Sequence, residues 1–137
     1  MNANEIFEKL WADYKTLNPE VDAIYKAFCN HGEEVVNDHI AFRTFNHSRI
    51  GIDKLSLIFI KAGYKEKGNY QFDEKKLRAK HFEHESDPFA PRVFISELIM
   101  EDFSIEFQKI INNLIDVIPE GFEYTDNLVF AKEIFQP

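Results

Sequence analysis

Cysteine is almost absent from this sequence, since Cys29 is the only one among 137 residues. A single cysteine excludes a framework of intrachain disulfides and is typical of a reducing compartment, so we expect a cytoplasmic location. No apolar run approaches the roughly 18 residues of a membrane span, and the first residues lack the pattern of a signal peptide. A net charge of −8 without a long basic run argues against nucleic acid. The sequence therefore predicts neither a membrane nor a nucleic-acid partner.

What the sequence has is the composition of one globular domain. Apolar residues make up 45% of it, 14 of them phenylalanines, and 29% of the residues are charged. We predict a single domain over 1–137. Helical spacing of apolar residues predicts a cap of two helices over 1–33 and a further helix within 102–120. Between them lies a module over 34–101, and a tail over 121–137 follows with a short strand at 128–131.

The module alternates between strand and helix patterns, which predicts an α+β sheet with helices packed on one face. Its predicted elements are a strand over 35–45, a helix over 52–62, and strands over 64–72, 77–85 and 92–100. This βαβββ order is similar to the module of the vicinal-oxygen-chelate, or glyoxalase-like, superfamily. The resemblance implies that two modules pair around a curved sheet and that metal ligands come from the first and fourth strands.

The first strand carries a face that could bind a ligand. Because side chains alternate along a strand, His39, Ala41 and Arg43 share one face. An imidazole can bind a metal, and a guanidinium can hold a carboxylate through two hydrogen bonds. Four residues along a strand span roughly 13 Å, so His39 and Arg43 could reach one organic ligand but not one metal ion. The alternative is a surface strand with a solvated polar face.

Glu97 is the only charge in the apolar core of the last predicted strand. A buried carboxylate is costly unless it is paired or ligates a metal. With His39 on the first strand, it would suit iron(II), zinc or manganese. Alternatively, Glu97 forms an ion pair with Arg43 or Arg92.

A short run with two histidines, His81-Phe82-Glu83-His84, resembles a metal site in composition. On a strand, however, His81 and His84 point to opposite faces because they are three residues apart. Alternation therefore argues against this run as a single metal site.

Three segments of the sequence form recognisable motifs: residues 37–45, Asn-Asp-His-Ile-Ala-Phe-Arg-Thr-Phe, residues 79–84, Ala-Lys-His-Phe-Glu-His, and residues 91–98, Pro-Arg-Val-Phe-Ile-Ser-Glu-Leu. The first resembles the signature of the 2-oxoadipate dioxygenase/decarboxylase family, also called hydroxyglutarate synthase, and the other two resemble further segments of that family. The likeness covers roughly residues 1–120. It implies a non-haem iron(II) enzyme that uses dioxygen to convert 2-oxoadipate into 2-hydroxyglutarate and carbon dioxide in lysine breakdown.

The same resemblance implies roles for two residues. His39 matches the first iron histidine of the family, beside the substrate, and Arg43 matches the arginine that grips the substrate carboxylate. The second iron histidine and the iron carboxylate belong to a second half that this sequence lacks. Since the tail looks cut at Pro137, we expect either a missing second module or a homodimer to complete the site.

Three hypotheses follow. The first is an iron(II)-dependent dioxygenase/decarboxylase of which this chain supplies half the site, with a 2-oxo acid and dioxygen as partners. The second is a non-catalytic glyoxalase-like binding module that keeps the arginine. The third is a dimeric, metal-dependent isomerase or lyase of the glyoxalase type, with His39 and Glu97 from each subunit.

Overall fold

Two helices form the start of the chain in the computed structural model, which describes residues 2–17, 19–30, 39–125 and 128–129. Helix α1 spans Ala3–Leu17 and helix α2 spans Pro19–Asn30. Pro19 begins α2, a position where its missing N–H costs no hydrogen bond. The Ile6 side chain of α1 is completely buried in the main core. The two helices predicted from helical spacing are therefore present, and α1 packs on the main core. None of the helices in the described ranges is long and apolar enough to cross a membrane.

A four-stranded mixed sheet follows, built from β1 (His39–Phe45), β2 (Tyr64–Phe72), β3 (Leu77–His84) and β4 (Arg92–Leu98). The strand order is β1-β4-β3-β2, with β1 parallel to β4 and the other pairs antiparallel. The chain crosses from β1 to the far edge and returns through the meander β2-β3-β4. The predicted α+β class and βαβββ order are confirmed. The predicted start of β1, at 35–38, lies outside the described residues.

The crossover contains two short helices, α3 (Ile52–Leu55) and α4 (Leu57–Lys61), where the sequence predicts one helix. They meet at Ser56, whose hydroxyl lies 3.4 Å from the Asp53 carbonyl oxygen. A serine hydroxyl that bonds to the backbone competes with the regular helical pattern, which accounts for the break. Gly63 ends α4 with a φ of +104°, a conformation that favours glycine.

The core lies between one face of the sheet and the crossover helices. Its centre is Phe59, which is completely buried. The Phe59 ring centroid lies 5.8 Å from that of Phe42 on β1, 5.9 Å from that of Tyr64 on β2 and 6.2 Å from that of Phe7 on α1. Aromatic contacts of this kind join the cap, the crossover and the sheet. We call this the covered face of the sheet.

A last helix, α5 (Ile105–Ile115), is fixed at both ends. The Ser104 hydroxyl accepts a hydrogen bond from the Phe107 N–H at 3.2 Å, which caps the first turn. At the other end, the Arg49 guanidinium donates to three backbone carbonyls, at 2.8–3.3 Å. A cation at a helix C-terminus satisfies unpaired carbonyls and complements the helix dipole. The acceptors are the carbonyls of Ile115, Ile118 and Pro119.

The strand predicted at 128–131 is wrong where the structure describes it. Leu128 and Val129 lie in a helical turn, and the Leu128 side chain is buried in the main core. A short apolar run does not distinguish a strand from another buried segment, which explains the error. Residues 130–137, and with them the predicted end of the chain, lie outside the described residues.

The loop after β3 is organised around the His84 imidazole. Its Nε2 donates to the Ala62 carbonyl at 2.9 Å, and its Nδ1 accepts from the Ser86 and Asp87 N–H groups at 3.2 and 3.0 Å. The Tyr64 hydroxyl donates to the Pro91 carbonyl at 2.7 Å where the loop ends. Burial raises the pKa of Tyr64, and the charge of Asp87 raises it further. His84 therefore ties this loop to the end of α4.

We expect His84→Ala to lower the free energy of unfolding by about 2 kcal/mol, because three hydrogen bonds to backbone groups are lost together. Urea unfolding followed by circular dichroism measures this. His47→Ala is the control, since the His47 ring accepts one backbone hydrogen bond, from the Arg49 N–H at 3.1 Å. Equal losses for the two variants would show that His84 does not organise its loop.

Candidate functional site

The face of the sheet opposite the covered face carries the residues that the sequence singles out. His39, Ala41 and Arg43 are exposed there, while Ile40, Phe42 and Thr44 alternate with them and are more buried. The parallel register places His39 opposite Arg92, Ala41 opposite Phe94 and Arg43 opposite Ser96. We call this side the open face. The structure thus brings His39 and Arg43 to one side of β1.

The His39 imidazole packs against an aromatic ring of the neighbouring strand. Its centroid lies 5.8 Å from that of Phe94 on β4, and the two ring planes are inclined at 81°. This edge-to-face geometry is the arrangement that aromatic rings prefer. The imidazole thus has a packed neighbour while the residue as a whole stays exposed on the open face.

A cluster of polar side chains surrounds His81 on the open face. The His81 Nε2 is 3.2 Å from a carboxylate oxygen of Glu83, and its Nδ1 is 3.2 Å from the Tyr70 hydroxyl. The Arg92 Nε donates to the other Glu83 oxygen at 3.2 Å. His84 points away and binds the Ala62 carbonyl, as alternation predicts. Within the described ranges, no three His, Cys, Asp or Glu side chains come together as a metal site.

Glu97 does not share the site with His39, which corrects its interpretation as a second ligand. It lies on the covered face, in phase with Val93 and Ile95, and only 4% of it is exposed. One carboxylate oxygen accepts from the Ile52 N–H at 3.0 Å, and the other binds the Arg78 guanidinium, with the Arg78 Nε at 2.9 Å. Glu97 therefore forms an ion pair, but the predicted partners Arg43 and Arg92 are wrong, because the partner is Arg78.

The partner of Glu97 could have been found from the strand pairing. Arg78 and Glu97 are direct neighbours across the antiparallel β3–β4 register. Sequence alone gives no register, and the apolar residues on both sides of β4 conceal the alternation that places Glu97 on the covered face. A cavity of about 410 Å³ opens beside this pair, on the side away from His39. Its lining includes Arg78, Lys80, Glu97, Asn46 and His47.

Comparison with solved structures first gives the class of protein. The fold matches a glyoxalase-superfamily protein from Ralstonia eutropha JMP134, with a TM-score of 0.62 and 27% identity over 73% of this chain and 33% of that one. A structure from Shewanella frigidimarina matches with a TM-score of 0.84 and 44% identity, over 92% of this chain and 49% of that one. The chain thus has the glyoxalase-like fold that its element order predicts.

The family follows from the sequence and from a third structure. A family model for 2-oxoadipate dioxygenase/decarboxylase matches residues 6–125, and the chain belongs to this family. The 2-oxoadipate dioxygenase/decarboxylase of Arabidopsis thaliana, named as chloroplastic, is 35% identical over 67% of this chain and 28% of its own length. Hydroxyglutarate synthase of Oryza sativa, solved with 2-oxoadipate, matches with a TM-score of 0.75 and 30% identity, over 84% of this chain and 41% of that one.

The chain therefore spans 28% of the curated Arabidopsis relative and 33–49% of the solved structures that it matches. The cytoplasmic location stays a prediction. The Arabidopsis relative is itself named as chloroplastic.

Proposed function

We propose that this chain supplies the first half of the active site of an iron(II)-dependent dioxygenase/decarboxylase. The reaction would take 2-oxoadipate and dioxygen to 2-hydroxyglutarate and carbon dioxide. The observation that carries the proposal is the common position of His39 and Arg43 on the open face, within a chain of the 2-oxoadipate dioxygenase/decarboxylase family.

The open face offers one side chain of this chain that could bind iron(II). A neutral imidazole suits iron(II), so His39 would supply that ligand. When bound, iron(II) would hold the 2-oxo acid and activate dioxygen. The other protein ligands would come from a second half, because Glu97 is held by Arg78 and Ile52 on the covered face. A second module or another copy of this chain could complete the set.

Arg43 would hold the far carboxylate of the substrate. Its planar guanidinium can form two parallel hydrogen bonds to a carboxylate, which fixes direction as well as distance. Ala41 lies between His39 and Arg43 on the same face, and its methyl side chain leaves room above the strand. An extended diacid could thus lie along β1, with its 2-oxo end near His39 and its other end at Arg43.

A second candidate is a non-catalytic binding module that keeps Arg43 as its anion site. It rests on the exposure of Arg43 on the open face, where its guanidinium could bind an anion without a metal. The third hypothesis, a dimeric isomerase that uses His39 and Glu97 from each subunit, loses its basis because the two residues face opposite sides of the sheet.

An oxygen-uptake assay tests the proposed function. The chain is loaded with iron(II) without oxygen, alone and together with the part of the Shewanella frigidimarina protein that it does not match. We expect the pair to consume one dioxygen for each carbon dioxide released from 2-oxoadipate, and the chain alone to show no appreciable turnover. In the active pair, Arg43→Lys should weaken binding of 2-oxoadipate far more than binding of 2-oxohexanoate, which lacks the far carboxylate.

Two results would count against the proposal. Oxygen uptake coupled to 2-oxoadipate by a monomeric 137-residue chain, as judged by sedimentation, would place a complete site within one copy. An equal effect of Arg43→Lys on the diacid and on the mono-acid would remove Arg43 from the substrate site. Binding of diacids without turnover in any combination would favour the binding module.

A further inference from the structure

A row of four rings crosses the open face, with one ring from each strand of the sheet. The members of this aromatic row are His39 on β1, Phe94 on β4, His81 on β3 and Tyr70 on β2. The Phe94 and His81 centroids are 5.1 Å apart with planes at 17°, and those of His81 and Tyr70 are 6.2 Å apart at 28°. His39 ends the row against Phe94, 5.8 Å away at 81°.

The orientation of the His81 ring is fixed by hydrogen bonds at both of its nitrogens. The Tyr70 hydroxyl lies 3.2 Å from Nδ1, and a Glu83 oxygen lies 3.2 Å from Nε2. The Arg92 Nε holds the other Glu83 oxygen at 3.2 Å. The His81 side chain is only 15% exposed. Rotation of this ring would break two hydrogen bonds at once, so its plane is held in place.

The fixed plane of His81 restrains Phe94 in turn. The two rings lie nearly parallel, so a rotation of Phe94 about its own side-chain axis would collide with the His81 face or lose the stacked contact. Phe94 then presents a constant surface to the His39 imidazole on the next strand. The hydrogen bonds from Tyr70 and Glu83 thus hold the His81 ring in place. His81 in turn restrains Phe94, and Phe94 restrains the His39 imidazole.

We propose that Phe94 is a positioning residue for the His39 imidazole and that His81 holds Phe94 in place. The proposal rests on the proposed function, in which His39 binds a metal. A ligand imidazole must point one nitrogen along the metal bond, so a freely rotating ring binds more weakly. Ligand histidines are usually oriented by a hydrogen bond from their second nitrogen, and here ring packing would contribute to the same restraint.

The test is residue-specific NMR of the histidine rings in the 137-residue chain, first alone without metal and then, together with the second half, during titration with Zn²⁺. We expect Phe94→Leu to broaden the His39 ring resonances without metal, in addition to the shift that loss of the Phe94 ring current causes, and to weaken Zn²⁺ binding at His39 by about 10-fold. Phe94→Tyr keeps the ring and should restore both properties. His81→Leu should give a smaller loss of affinity, because Phe94 remains but is no longer held.

Phe45→Leu is the matched control, since it is the same change at the other end of β1, where Phe45 packs against Phe107. It should alter Zn²⁺ affinity at His39 by less than about 2-fold. Equal effects of Phe94→Leu and Phe45→Leu would overturn the positioning role. If Zn²⁺ leaves the His39 resonances of the parent chain unmoved even with the second half present, the metal role of His39 fails. The metal-free spectra test the aromatic row separately, and unchanged His39 linewidths in Phe94→Leu would overturn it.

Discussion

Replacing Glu97 with alanine is expected to lower the free energy of unfolding by about 3 kcal/mol, a large part of the stability of a small domain. The carboxylate joins three elements, because it binds Arg78 on β3 and the Ile52 N–H at the start of α3 from its own place on β4. Its removal leaves a buried N–H without its acceptor and a guanidinium without its counter-charge. Arg78 is half exposed, so water offsets part of the loss.

Urea unfolding measures this effect, with two variants for comparison. Glu97→Gln keeps the shape and an acceptor oxygen, so it should cost less than Glu97→Ala. Glu83→Ala removes a carboxylate from a more exposed pair, with Arg92, and should cost less than about 1 kcal/mol. Neither Glu97 variant should change metal binding at His39 while the chain is folded. A loss of metal affinity in folded Glu97→Gln would restore Glu97 as a ligand.

The parts of the fold that follow from local patterns could be predicted from the sequence. Alternation over residues 39–43 assigned these side chains to the correct faces, and Gly63 marked the end of the crossover. These features depend on neighbours within a few residues, and side-chain periodicity reports them directly. The order of elements was then enough to indicate the βαβββ module.

What could not be predicted depends on pairing between distant segments. Glu97 has an arginine partner, but its identity as Arg78 requires the β3–β4 register, which no single strand encodes. The interaction of Arg49 with the end of α5 joins residues 66 or more apart in the sequence. The aromatic row was missed for the same reason, because its four rings come from four strands. The face shared by His39 and Arg43 needed only one strand, so the sequence could predict it.

Replacing His39 with alanine should have the largest effect on activity. In the chain combined with a second half, we expect iron affinity to fall by more than about 100-fold and turnover to be lost with it, since a ligand is removed outright. Thermal stability should hardly change, because His39 is exposed on the open face and its removal leaves no cavity in the core. Iron content per protein and thermal unfolding, measured on the same sample, separate the two effects. His47→Ala, at a turn histidine, should retain iron. A variant of His39 that unfolds but keeps its iron while folded would make this residue structural and would remove it from the iron site.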